Sequence, residues 1–104
     1  MKKIKRRYLA LSVDVDDPPA PKEFVDSIWA AVGKLYGEYG ASRTGLALIE
    51  YNMEKKIAVL RVTLEALGLL RAAIASITSI AGKEAAVHVI AVSGTLKSLR
   101  KHFS

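Results

Sequence analysis

The run Val92-Ser93-Gly94-Thr95-Leu96-Lys97-Ser98-Leu99-Arg100-Lys101-His102-Phe103 concentrates the chemistry of this 104-residue chain. Ser93 or Thr95 can accept a bond from an unpaired backbone N–H and so cap a short helix. The free N–H groups and partial positive charge of a helix start suit a phosphate, and Ser93-Gly94-Thr95 forms such an elbow. Leu96, Leu99 and Phe103 fall on one stripe, which leaves Lys97, Arg100 and Lys101 directed toward solvent or an anion. Taken alone, the run fits a capped, solvated helix better than a binding site. Its neighbours in the sequence reverse that order.

Charge is the first of those neighbours. The chain carries a net +6, and Lys2, Lys3, Lys5, Arg6 and Arg7 crowd into the first seven residues without an acid among them. With Lys97, Arg100 and Lys101 at the other end, the two tails outweigh the net charge and leave the middle slightly acidic. Positive charge gathered at two ends is an electrostatic footprint for a polyanion, most simply nucleic acid. A catalytic centre is hard to assemble from what is left. His88 lies inside an apolar strand and reads as a packed or edge histidine; His102 lies in the basic tail, and neither has metal-ligand spacing. Asp14, Asp16 and Asp17 read as a strand-ending polar loop before a cation site. There is no P-loop and no GxGxxG. With no cysteine, thiolate metal sites and disulfides are excluded, which favours an intracellular, cytoplasmic setting. Asn52 is the single asparagine and glutamine is absent, a bias compatible with a thermophilic source.

The elements that must position these residues follow from periodicity. Tyr8–Val15 alternates, with Leu9, Leu11, Val13 and Val15 on one face, and reads as a half-buried strand. Asp16-Asp17-Pro18-Pro19 stops it, and Pro21 suits the first turn of a helix. Phe24, Val25, Ile28, Trp29, Val32, Leu35, Tyr36 and Tyr39 keep helical spacing until Gly37 and Gly40 mark its end. Leu46–Tyr51 and Ile57–Leu64 read as strands joined by a polar hairpin loop. Neither face of the second is fully polar, so the outer side of the sheet is expected to be partly covered. A second helix is expected over Glu65–Ala81, ended by Gly82, with Leu67, Leu70, Ile74, Ile77 and Ala81 inward and Leu69, Ala73, Ser76 and Ile80 widening the buried arc. Ala85–Val92, nearly all apolar, reads as a central strand.

The order β-α-β-β-α-β with an appended helix predicts an α+β, ferredoxin-like (RRM-like) sandwich: an antiparallel sheet, two helices on one face and an extra C-terminal helix. Residues 1–7 read as a basic tail and 8–104 as a single domain. Domains of this topology that bind single-stranded RNA stack bases on aromatics of the first and third strands. Here the third strand has none and the first only Tyr8, so contact through charge is favoured over stacking. Lys2, Lys3, Lys5, Arg6, Arg7, Ser93, Gly94, Thr95, Lys97, Arg100 and Lys101 are the expected phosphate contacts. The apolar helix faces, represented by Trp29, Leu69, Ala73 and Ile80, are candidates for a protein partner.

Three segments carry a resemblance: Gly45-Leu46-Ala47-Leu48-Ile49-Glu50-Tyr51-Asn52, Leu70-Arg71-Ala72-Ala73-Ile74 and Val92-Ser93-Gly94-Thr95-Leu96-Lys97-Ser98-Leu99-Arg100. In that order, the chain resembles the archaeal ribonuclease P protein component 2 family from Tyr8 to Phe103. The resemblance implies a noncatalytic protein subunit of a ribonucleoprotein endonuclease whose RNA, with bound magnesium, removes the 5′ leader of precursor tRNA. It implies no cofactor or metal on the protein itself. It also implies pairing with protein component 3 and further subunits, and self-association. Two rivals share the topology. An acylphosphatase-type enzyme needs an Arg-containing phosphate loop after the first strand, where this chain has Asp16-Asp17-Pro18-Pro19. A small-ligand or protein-interaction regulatory domain would use the apolar helix faces and leave the basic ends idle.

Overall fold

A computed structural model describes residues 4–42 and 44–102, with the side chains of residues 39–42 left aside. The chain runs β1 (Arg6–Asp14), α1 (Pro21–Ser42), β2 (Ala47–Asn52), β3 (Ile57–Thr63), a 3-10 turn (Leu64–Ala66), α2 (Leu67–Ala75), β4 (Ser79–Ile80), β5 (Lys83–Glu84), β6 (Ala86–Ser93) and α3 (Leu96–Arg100). The main sheet is antiparallel in the order β2-β3-β1-β6, and β4 and β5 form a separate hairpin. This is the expected ferredoxin-like sandwich. Alternation along β1 and β3 builds its main core: Leu9, Leu11, Val13, Leu60 and Val62 meet Phe24, Ile28 and Val32 of α1 and Leu70, Ala73 and Ile74 of α2. A smaller core lies on the opposite face of the sheet, where Leu99 and Leu96 of α3 cover Ala10, Val59, Ile49 and Ala91. The outer side is thus partly covered, as the two-sided apolar pattern requires.

Four details differ from the sequence reading. β1 begins at Arg6, so the boundary placed after residue 7 falls late: Arg6 pairs with Thr63 and Arg7 with Val62. Ladder bonds use the backbone, so the charged side chains do not prevent pairing. Among the described residues β6 is an edge strand, bonded to β1 alone. Its apolar run reflects cover on both faces, with Val87, Val89 and Val92 against the main core and Ala91 beneath α3; a bulge leaves Ile90 exposed.

The second helix stops at Ala75 instead of Ala81, and Ser76 closes it by donating its hydroxyl to the Ala73 carbonyl (2.6 Å). Ile77-Thr78-Ser79-Ile80 is β-branched at three of four positions and disfavours a helix. The chain turns into the β4–β5 hairpin at Ala81-Gly82, both at positive φ (51° and 80°). Ile77 and Ile80 are buried in this geometry too, so the apolar spacing did not separate the two folds. Finally, Gly37 (φ 72°, ψ −175°) breaks α1 into two helical pieces, and the second continues to Ser42.

Candidate nucleic-acid interface

The β1–β6 ladder places Tyr8 opposite Ser93, which brings the start of the chain to the end of the last strand. Arg7 and Gly94 are therefore neighbours: a Cβ at Gly94 would lie 3.8 Å from Arg7 Nη1. Arg7 Nη1 donates to the Arg6 carbonyl (2.8 Å), and the Leu64 N–H donates to the Lys5 carbonyl (2.8 Å), so Lys5–Arg7 is fixed to the fold through its backbone. Two clusters at opposite ends of the sequence thus share one corner of the sheet. Lys2 and Lys3 lie outside the described residues.

The elbow leads into α3 as its residue types dictate. Thr95 is the cap: its hydroxyl oxygen accepts from the Ser98 N–H (3.1 Å), with extended backbone at Thr95 itself. Ser93 Oγ accepts from the Thr95 N–H (3.4 Å). Both hydroxyl oxygens thus accept from backbone donors, one in the elbow and one in α3, which leaves Lys97 and Lys101, both exposed, as the outward groups. Leu99 is fully buried against the sheet and anchors the helix. Arg100 behaves differently from its lysine neighbours, because it forms an ion pair with Glu50 on β2. A bulge in β2 makes this pair possible. Leu48 opposes Leu60 and Glu50 opposes Val59, so Ile49 is the extra residue, and Ile49 and Glu50 both serve the α3 side. Arg100 therefore links α3 to β2 through a half-exposed ion pair, a role that the basic pattern of the run did not reveal.

The expected protein-contact residues divide. Trp29 is half-buried on α1, and Leu69 is half-buried against the main core. Ala73 and Ile80 are buried in that core, at 0% and 2% exposure, so they cannot face a partner; this corrects the expectation for both. The second helix packs against α1 and β6, and Ile80 lies on β4, beyond the end of that helix. Among the described residues of α1, the large apolar side chains that project are Leu35 and Tyr36, next to the Gly37 break.

The far end of the sheet gathers carboxylates, beside the β2–β3 loop that carries Lys55 and Lys56. Asp14, Asp16, Thr78 and Glu84 line a cleft beside the end of β1, and Asp17 reaches Lys83 (3.0 Å). A carboxylate-lined cleft repels an acyl phosphate, so the acylphosphatase reading finds no support there. Among the described residues no group of side chains is arranged to hold a metal ion, and no helix is long and apolar enough to cross a membrane. One residue escaped the sequence reading of the site. Arg61 is the lone charge of the apolar strand β3, and that isolation was its signal.

Comparisons with known proteins bear on the family and the fold. The family model described as Rpp14/Pop5 matches residues 7–104. Ribonuclease P protein component 2 of Pyrococcus abyssi is 32% identical over 99 residues, covering 95% of this chain and 84% of that protein. Its namesake in Methanosarcina mazei is 27% identical with the same coverage. A chain of yeast ribonuclease MRP, solved by cryo-electron microscopy, shares the fold with a TM-score of 0.74 at 16% identity, covering 92% of this chain and 79% of that one.

Proposed function

This chain belongs to the Rpp14/Pop5 family, and we propose that it serves as a protein subunit of ribonuclease P, docking on the RNA through the corner where β1 starts and β6 ends. The observation that carries this reading is the meeting of Lys5, Arg6 and Arg7 with the Ser93-Gly94-Thr95 elbow and the exposed Lys97 and Lys101. Cations gathered on one corner orient the molecule in the field of a polyanion. Binding by charge neutralises phosphates and releases counterions, without base readout. In this proposal the RNA supplies the catalytic centre and its magnesium, and the protein stabilises the RNA that removes the 5′ leader of precursor tRNA. Protein component 3 is the proposed partner, with the half-buried Trp29 and the exposed Leu35 and Tyr36 as its contact area. The absence of cysteine from the sequence suits a cytoplasmic assembly.

Reconstitution tests the proposal directly. Ribonuclease P RNA and the remaining proteins are assembled with and without this chain, and precursor-tRNA cleavage is followed over a range of magnesium concentrations. Inclusion of the chain should raise the rate or lower the magnesium requirement. An assembly indifferent to its presence overturns the assignment.

A further inference from the structure

The register of the main sheet sets out one row across all four strands: Ala47 on β2, Arg61 on β3, Tyr8 on β1 and Ser93 on β6. The next row toward the acidic end contains Glu50, Val59, Ala10 and Ala91, and lies under Leu96 and Leu99 of α3, with the Glu50 carboxylate engaged by Arg100. On the other side, Thr63 opposes the exposed Arg6. The helix therefore roofs the middle of this face, and Arg61 sits at the margin of the roof. Arg61 is half-buried; its Nε is closed off from solvent with no hydrogen-bond acceptor. Among the described residues it has no carboxylate partner, in contrast to Arg100, which Glu50 balances. A desolvated, unpaired donor on a guanidinium is an unfavourable state, and a second cation one row away adds repulsion. An anion placed between them relieves both.

We propose that the open margin of this sheet face is a phosphate subsite, where Arg61 and Arg6 hold one phosphodiester of the RNA beside Tyr8. The proposal rests on the RNA-docking reading above and adds a contact distinct from the outward lysines of α3. A planar guanidinium fork suits two phosphate oxygens at once, and turning toward them gives Nε the acceptor it lacks. Lysine would retain the charge without the fork.

The test uses the full chain and ribonuclease P RNA, with affinity measured across a salt series for wild type, Arg61→Met, Arg61→Lys and the Lys97→Ala/Lys101→Ala pair. Arg61→Met should lose about ten- to a hundred-fold in affinity, and its salt slope should fall by about 0.7 to 0.9, the share of one phosphate. Arg61→Lys should keep the slope and still bind more weakly. In the unmutated chain, the Arg61 Nε–H resonance should move when the RNA is added, a readout that does not depend on how any variant folds. An unmoved resonance overturns the subsite. So does wild-type affinity and slope in Arg61→Met when the lysine pair is weakened, and the RNA reading then stands. If the wild-type chain shows no salt-dependent binding, the RNA reading itself fails.

Discussion

Tyr51 shows how a single side chain ties the fold together. Its hydroxyl donates to the Pro19 carbonyl (2.8 Å), and its ring stacks on Phe24 with centroids 5.2 Å apart. β2 is thereby joined to the proline loop that launches α1. Burial, followed by the negative charge of Glu23, raises the phenol above its ordinary value of 10.0. Folding thus favours the neutral phenol. Its stabilising effect is full below the ordinary tyrosine value and is lost as pH rises through the raised one. Tyr51→Phe should cost about 1 kcal/mol at neutral pH for the lost bond. In return, the variant should lose less stability than wild type on going from about pH 8 to pH 11. Denaturant titrations of both proteins at the two pH values check this, and parallel losses would count against the assignment.

At the scale of elements, the β4–β5 hairpin is the feature that periodicity misjudged. Its turn puts Ala81 at φ 51°, a region that costs an alanine about 1–2 kcal/mol. Two successive residues at positive φ are the signature of a hairpin turn that favours Asn-Gly over Ala-Gly. Ala81→Asn should therefore stabilise the protein by about 0.5–1 kcal/mol, read as a rise in Tm. A helix continuing through residue 81 predicts the opposite sign, since asparagine is a poorer helix former than alanine. The same experiment thus distinguishes the hairpin from the longer helix. α3 shows a complementary principle. Five residues cannot hold a helix by themselves; the Thr95 cap, the buried Leu99 and the Arg100–Glu50 pair hold it on the sheet.

On the scale of the whole molecule, charge is segregated along β1. Arg6 begins the strand and Asp14 ends it, about 26 Å apart at the usual rise per residue. RNA docking is accordingly expected at the Arg6 end alone. Lys97→Ala/Lys101→Ala should weaken RNA binding and flatten the salt slope by about 0.7 to 0.9 for each phosphate left without its lysine. Asp16→Asn/Glu84→Gln, at the acidic end, changes the net charge by the same amount with opposite sign and should leave the slope as in wild type. Slope changes of equal size and opposite sign in the two double variants would mean that net charge, and not the corner, governs binding.

Local pattern was enough to determine much of this protein. Alternation in Tyr8–Val15 and Ile57–Leu64, the proline stop before α1 and the order of the elements determined the sandwich, because side-chain period is a property of adjacent residues. The basic runs at both ends were legible for the same reason, and so was the capped C-terminal helix. Whether Ile77–Ile80 continued a helix or turned into a hairpin was not legible, since both bury the same isoleucines. Nor was the fate of the individual cations. Tertiary structure alone joined Arg7 to Gly94 through strand pairing, paired Arg100 with Glu50 through a bulge in β2, and left Arg61 beside the α3 roof without a counter-charge among the described residues. Ion pairing and desolvation depend on neighbours distant in the chain. The terminal run supplied the charges, and the sheet decided which of them remain available to an RNA.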